Sequence, residues 1–85
     1  MASSKFSKTM HEVFIELQRQ DEKWGVNRIL PDEIWLTIMT EEVGESAQAI
    51  LKQLPTEDLR KEIIQIIAVG YAWLECIDRC GDGHE

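Results

Sequence analysis

Four residues of this chain have the types and spacing to hold a cation: Glu42 and Glu45 in one segment, Glu62 and Gln65 in another. A helical step of about 100° per residue projects Glu42 and Glu45 of the stretch TEEVGESAQAI into the same arc as Ile34, Trp35, Ile38 and Ala49. Glu41 falls at the border of that arc, toward Thr37, Gly44 and Gln48. An ionised carboxylate withdrawn from water is costly unless it is paired, hydrogen-bonded or bound to a cation. The pattern recurs further on, where Glu62 and Gln65 are flanked by Ile66, Val69, Trp73 and Cys76. Three carboxylates brought together repel, and a divalent ion resolves the repulsion. Carboxylates with an amide carbonyl form an all-oxygen ligand set, which suits a hard ion, Mg²⁺ or Mn²⁺, rather than Zn²⁺. Mg²⁺ keeps waters and recruits phosphates, so the expected ligand is a phosphorylated compound.

Three helices have to position these groups. Phe6, Met10, Val13, Phe14, Leu17 and Trp24 follow the spacing of an amphipathic helix, which predicts one from about Ser7 to Trp24, with Lys8, Glu12, Glu16 and Arg19 on its polar face. Gly25 stops it, and Val26 to Leu30 form a loop able to fold over whatever the helices enclose. Pro31 suits the first position of a second helix, with Asp32 and Glu33 complementing its dipole, and this helix runs to about Lys52. Gly44 in its interior costs up to about 1 kcal/mol relative to Ala, which marks a close approach by another backbone or a ligand. Gln53 to Thr56 make the second break, with Pro55 and a possible N-cap at Thr56, and the third helix extends to about Arg79. Its solvent stripe, Glu57, Arg60, Lys61, Glu75, Asp78 and Arg79, covers about a third of the circumference. The rest is apolar, more surface than two short neighbours cover. The expected fold is an all-α antiparallel bundle of three helices per chain, completed by oligomerisation, with a homo-oligomer (dimer or tetramer) as partner. An antiparallel pairing of the second and third helices brings Glu42 and Glu45 opposite Glu62 and Gln65.

At 85 residues the chain makes one domain, with flexible ends expected at about 1–6 and 81–85. Hydrophobic residues are 44% and charged residues 29%, a globular rather than disordered composition. The net charge of −7, with Lys and Arg scattered, argues against a surface that neutralises nucleic-acid phosphates. No charged stretch followed by an apolar run opens the sequence, and the mainly apolar run Ile63–Ile77 falls short of the ~20 residues that a membrane span needs. A soluble, cytoplasmic protein with no membrane partner is expected. Cys76 and Cys80, one turn apart, read as reduced thiols; the competing reading, a metal pair completed by His84, lacks a fourth ligand. His11 and His84 are expected in solvent.

Glu42-Val-Gly-Glu45 and Glu62-Ile-Ile-Gln65 resemble the E-x-x-E and E-x-x-D motifs of the MazG-like branch of the all-α nucleoside triphosphate pyrophosphohydrolases. Gln20-Asp-Glu-Lys-Trp-Gly25 is similar to the N-terminal part of small phage and mobile-element members, and the likeness spans about residues 10 to 79. The resemblance implies Mg²⁺-dependent hydrolysis of a nucleoside triphosphate to the monophosphate and pyrophosphate. The site would be lined by helices of more than one subunit, with Glu42, Glu45 and Glu62 holding metal. Gln65 stands where that family has Asp. Its carbonyl is a neutral ligand, so the metal is expected to bind more weakly, or activity to be lost.

In such a site the ion would neutralise phosphate oxygens and acidify a water while a carboxylate takes the proton. Glu41, at the edge of the acidic patch, is the candidate base, with an ordinary solvated residue as the alternative. Trp24, Trp35, Lys23, Arg28 and Lys61 are the supply of stacking surface and cations for the rest of a nucleotide. Their alternatives are core packing for Trp35 and Trp73, and plain surface for Lys23 and Arg28. Two other functional classes stay open: a nucleotide and metal binder without turnover, and a helical dimerisation module whose acids are ion-paired to Arg60, Lys61 or Arg28.

Overall fold

The computed structural model describes residues 2–80, with side chains from Lys8 onward. Phe6, His84 and the expected flexible C-terminal end fall outside the described side chains. The described residues form three α-helices and no strand: α1, Ala2–Trp24; α2, Asp32–Leu51; α3, Thr56–Cys80. No helix among them is long and apolar enough to cross a membrane.

The breaks follow from local backbone chemistry. Gly25 adopts φ 99°, which a side chain would oppose, and its amide closes α1 on the Asp21 carbonyl at 2.7 Å. Gln53 takes the equivalent left-handed place after α2, with φ 56°, while the Leu54 amide reaches back to the Ala49 carbonyl at 3.0 Å. Both prolines are N-caps, so relative to its helix Pro31 sits one position earlier and Pro55 one position later than the sequence suggests. Pro31 is the N-cap of α2 rather than its first helical residue: its ψ of 151° is extended, and its carbonyl accepts from Ile34 at 3.0 Å and Trp35 at 3.2 Å. Pro55 plays the same part for α3, accepting from Asp58 at 2.9 Å and Leu59 at 3.4 Å, so Thr56 is the first residue of the helix rather than its cap. A proline there loses nothing, since the N-cap amide has no intrahelical partner to find. At the other end, α1 begins at Ala2 rather than near Ser7.

α3 packs against both α1 and α2, whereas α1 and α2 meet only through it among the described residues. The core is small: Trp35, 1% exposed, packs with Val69, Ala72 and Cys76, and Leu17, Leu30, Ile38, Met39 and Trp73 close around them. Polar ties fix the register. The Trp73 indole donates to Asp32 at 2.9 Å, and Arg60 pairs with Glu12 across α1 and α3. The last turn of α3 holds the 25–31 loop, because Arg79 donates to the Arg28 carbonyl at 2.9 Å and to Asn27 at 3.4 Å.

The protomer is more extended than its length requires. Its accessible surface is 6340 Å², against about 5,200 Å² for a compact folded chain of this mass. Its radius of gyration is 14.3 Å, against about 12 Å for a compact domain of this length. Ile63, Ile67, Tyr71 and Leu74 form an exposed stripe along one face of α3, at 45%, 45%, 46% and 62% exposure. With Met39, Gly70, Trp73 and Ile77 most of that stripe lines an open apolar groove of about 560 Å³.

Candidate metal centre

Glu42 and Glu45 occupy neighbouring turns of α2, and Glu62 faces them from α3. One carboxylate oxygen from each lies within 4.8 Å of the others. The three are not equally dry: Glu42 and Glu62 are half-buried and Glu45 is exposed. None of them forms an ion pair with a described Lys or Arg, whereas Arg28 lies near Asp21, Arg19 on Glu16 and Arg60 on Glu12. Burial, then the charges of Glu45, Glu62, Glu16 and Glu41, hold the Glu42 carboxyl above its ordinary range. Burial and the Glu45 carboxylate do the same for Glu62. The cluster therefore carries electrostatic strain that a cation or a proton relieves.

Gln65 relieves part of it. With its amide nitrogen turned toward the acids, it donates to Glu42 Oε1 at 2.7 Å and to Glu62 Oε1 at 3.1 Å. This differs from the role assigned by ligand type alone, in which the carbonyl faces an ion. Here the NH₂ group stands in for positive charge, and the amide must turn over before its oxygen can act as a ligand. Gln65→Asp removes that competition and adds a charge. It is expected to tighten Mg²⁺ binding by about tenfold and to lower the stability of the metal-free protein, as read by titration calorimetry and thermal melting. An unchanged Mg²⁺ affinity would place Gln65 away from the ion.

The acids open onto a cavity of about 700 Å³. It lies where the backbones of α1 and α2 stand apart over α3: Arg19, Gln20, Lys23 and Trp24 line it from α1, Arg28 and Leu30 from the loop. Trp35, Ile38, Glu41, Glu42 and Glu45 line it from α2, with Gln65 and Val69 of α3 as floor. The cavity is bipolar, acidic toward α2, basic and aromatic toward α1 and the loop. Lys23 Nζ stands 4.7 Å from the centre of the Trp24 ring. The Arg28 guanidinium lies between two indoles, 5.9 Å from Trp24 and 5.4 Å from Trp35. Arg28 Nη2 is buried without a hydrogen bond, 3.9 Å from Asp21 Oδ1.

The structure thus gathers Lys23, Trp24, Arg28, Trp35, Glu41, Glu42, Glu45 and Gln65 around one cavity, with Glu62 completing the acid cluster. Trp24 is 54% exposed and offers a ring face, while Trp35 is a core residue that presents only part of itself to the wall. Lys61 stands outside the wall, exposed on α3, where its charge acts on Glu16 and Glu62. A Cβ at Gly44 would meet nothing within 4 Å, so the close approach expected there is not made by the described residues. His11 is exposed. Cys76 and Cys80 are free thiols, the first buried with its sulfur 3.8 Å from the Leu30 carbonyl.

Two wall residues were not singled out from the sequence. Arg19 donates to Glu16 at 2.9 and 2.7 Å, an i, i+3 pairing visible in the sequence only as a surface salt bridge. Gln20 is 2% exposed, a burial that its polar type does not announce. No protein-family model, no curated protein and no solved structure matches the chain.

Proposed function

We propose that the chain is the protomer of a metal-dependent nucleoside triphosphate pyrophosphohydrolase, releasing pyrophosphate and the monophosphate from a nucleoside or deoxynucleoside triphosphate. The observation that carries this reading is the meeting of three carboxylates from two helices, within 4.8 Å, beside a cavity that also holds Lys23, Trp24 and Arg28. The MazG-like resemblance of the Glu42–Glu45 and Glu62–Gln65 motifs points the same way.

The donor set fits a hard divalent ion. Oxygens on opposite sides of Mg²⁺ are about 4.2 Å apart, so the cluster closes on an ion with small side-chain shifts. Glu42, Glu45 and Glu62 would hold it, and Gln65 could add its carbonyl after turning over. The chemistry such an ion supplies is neutralisation of phosphate charge and acidification of a water. Glu41, exposed on the same wall and outside the triad, takes the proton from the attacking water. Lys23, Arg28 and Arg19 counter the negative charge of the substrate, and Trp24 gives a base a surface to stack on.

A second reading, a nucleotide and metal binder without turnover, is favoured by one observation: the Gln65 amide already satisfies two of the acids. Pyrophosphate release across a panel of NTPs and dNTPs with Mg²⁺ or Mn²⁺ separates the two. Turnover with at least one nucleotide is expected. Nucleotide-dependent thermal stabilisation without turnover would favour the binder, and neither response would leave a scaffold.

The active assembly in this proposal is a homo-oligomer of antiparallel bundles, with a second copy seated on the α3 stripe. Ile63, Ile67, Tyr71 and Leu74 of that stripe remain 45%, 45%, 46% and 62% exposed on the protomer, and a stable interface takes about 800 Å² or more from each partner. Leu74→Lys, a charge placed at the most exposed point of the stripe, is expected to yield monomers in light scattering. Retention of the native assembly would move the interface elsewhere.

A further inference from the structure

The amide of Gln20 is the buried polar group that the proposed chemistry does not use. It is 2% exposed, yet forms part of the cavity wall. Its Nε2 donates to Glu16 Oε2 at 3.0 Å. Glu16 is gripped by Arg19, whose hydrogen bonds hold its carboxyl below the ordinary range, so it is ionised and can only accept. An acceptor-only carboxylate decides which end of a neighbouring amide faces it, and that end is the nitrogen. Gln20 Oε1 is left as the free end, with no hydrogen bond to the described residues.

We infer that Gln20 is a specificity-determining residue, whose carbonyl oxygen accepts a hydrogen bond from an N–H or O–H donor on the nucleoside half of the ligand. The inference rests on the nucleotide reading above. Phosphate oxygens are excluded as its partner because they are acceptors and would face another acceptor. Trp24 lies one helical turn beyond Gln20 on the same side of α1, so a base stacked there stays within reach of that oxygen. Three groups offer a donor that tells nucleosides apart: an exocyclic amine on the base, the ring N–H of a keto base, and the 2′-hydroxyl of the sugar. Where the oxygen faces the position of the amine, a keto group there sets acceptor against acceptor; where it faces the ring nitrogen, the keto base supplies the donor instead.

The test is calorimetric titration of the full chain with Mg²⁺ and the α,β-imido analogues of dCTP, dUTP and CTP. If the donor is the amine, dCTP is expected to bind about tenfold or more tighter than dUTP; if it is the ring N–H the order reverses, and if it is the 2′-hydroxyl the same margin separates CTP from dCTP. Gln20→Met keeps the length of the side chain without the amide, and is expected to reduce the margin to within about twofold. Glu16→Gln is a second variant that leaves Gln20 in place but lets its amide turn, and it is expected to shrink the margin severalfold. Circular dichroism shows whether each variant is folded. A wild-type protein that binds these analogues without any of these preferences, or a preference that survives both substitutions, overturns the role of Gln20. Binding of none of the three analogues, together with no turnover or thermal stabilisation by any nucleotide of the panel, overturns the nucleotide reading itself.

Discussion

Glu42→Gln is expected to lower Mg²⁺-dependent pyrophosphate release by more than about 100-fold, the upper range for losing a mere outer-shell partner of a metal ligand, and at the same time to raise the melting temperature of the metal-free protein. The two effects have one cause. Glu42 is held above its ordinary value of 4.5 by burial first and by surrounding carboxylates second. A carboxyl whose folded pKa exceeds its unfolded one binds more protons when folded, so its contribution to stability is present below 4.5 and lost as pH rises through the folded value. At neutral pH the ionised Glu42 therefore works against the fold, and a neutral amide of the same shape removes the penalty. A rise of a few degrees is expected, given that about 1 kcal/mol moves a domain of this size by about 4–8 °C.

Thermal melts from neutral pH downward check the sign. The gap between Glu42→Gln and wild type should narrow as pH falls toward the carboxylate range. Glu16 runs the opposite way, since Arg19 lowers its pKa and its stabilisation is lost on acidification. Comparing the two proteins cancels that background. Unchanged turnover would remove Glu42 from the site, and a lower metal-free melting temperature would contradict repulsion as the source of its shift.

Trp35→Ala is expected to cost about 3–5 kcal/mol, a large share of the ~5–15 kcal/mol that holds a small domain folded. Trp35 is 1% exposed and its fully buried core partners Val69, Ala72 and Cys76 are small, so they cannot fill the space it would leave. The loss should reach the cavity as well, because the Arg28 guanidinium lies 5.4 Å from this ring. Trp35→Phe is expected to recover most of the stability. It gives up an indole N–H that is buried without an acceptor in hydrogen-bonding geometry, with the Cys76 sulfur nearby. Urea denaturation followed by circular dichroism measures both variants. A cost below about 1 kcal/mol for Trp35→Ala would mean that the core is centred elsewhere.

The helices and their breaks were legible in the sequence because local chemistry sets them: Gly25 for its left-handed turn, and Pro31 and Pro55 for their missing amides. Pro31, expected inside its helix, and Pro55, expected ahead of a Thr56 cap, both turn out to be N-caps whose carbonyl, rather than a side chain, starts the helix. Helical periodicity also placed Glu42 and Glu45 on one arc and Glu62 and Gln65 on another. Periodicity gives faces, however, and not neighbours. That α1 and α2 stand apart over α3 is a packing outcome, and it is this gap that recruits Arg19 and Gln20 to the wall while leaving Lys61 outside it. Gln65 shows a further limit: residue type proposes a carbonyl ligand, but the hydrogen bonds around it decide which end of the amide faces the acids.

Crystals of the protein grown with Mn²⁺, and data collected at the manganese absorption edge, test the central claim most directly. An anomalous peak enclosed by the Glu42, Glu45 and Glu62 carboxylates, with Gln65 no longer donating to them, is the expected result. Those carboxylates turned out to bulk solvent with no peak among them would contradict it.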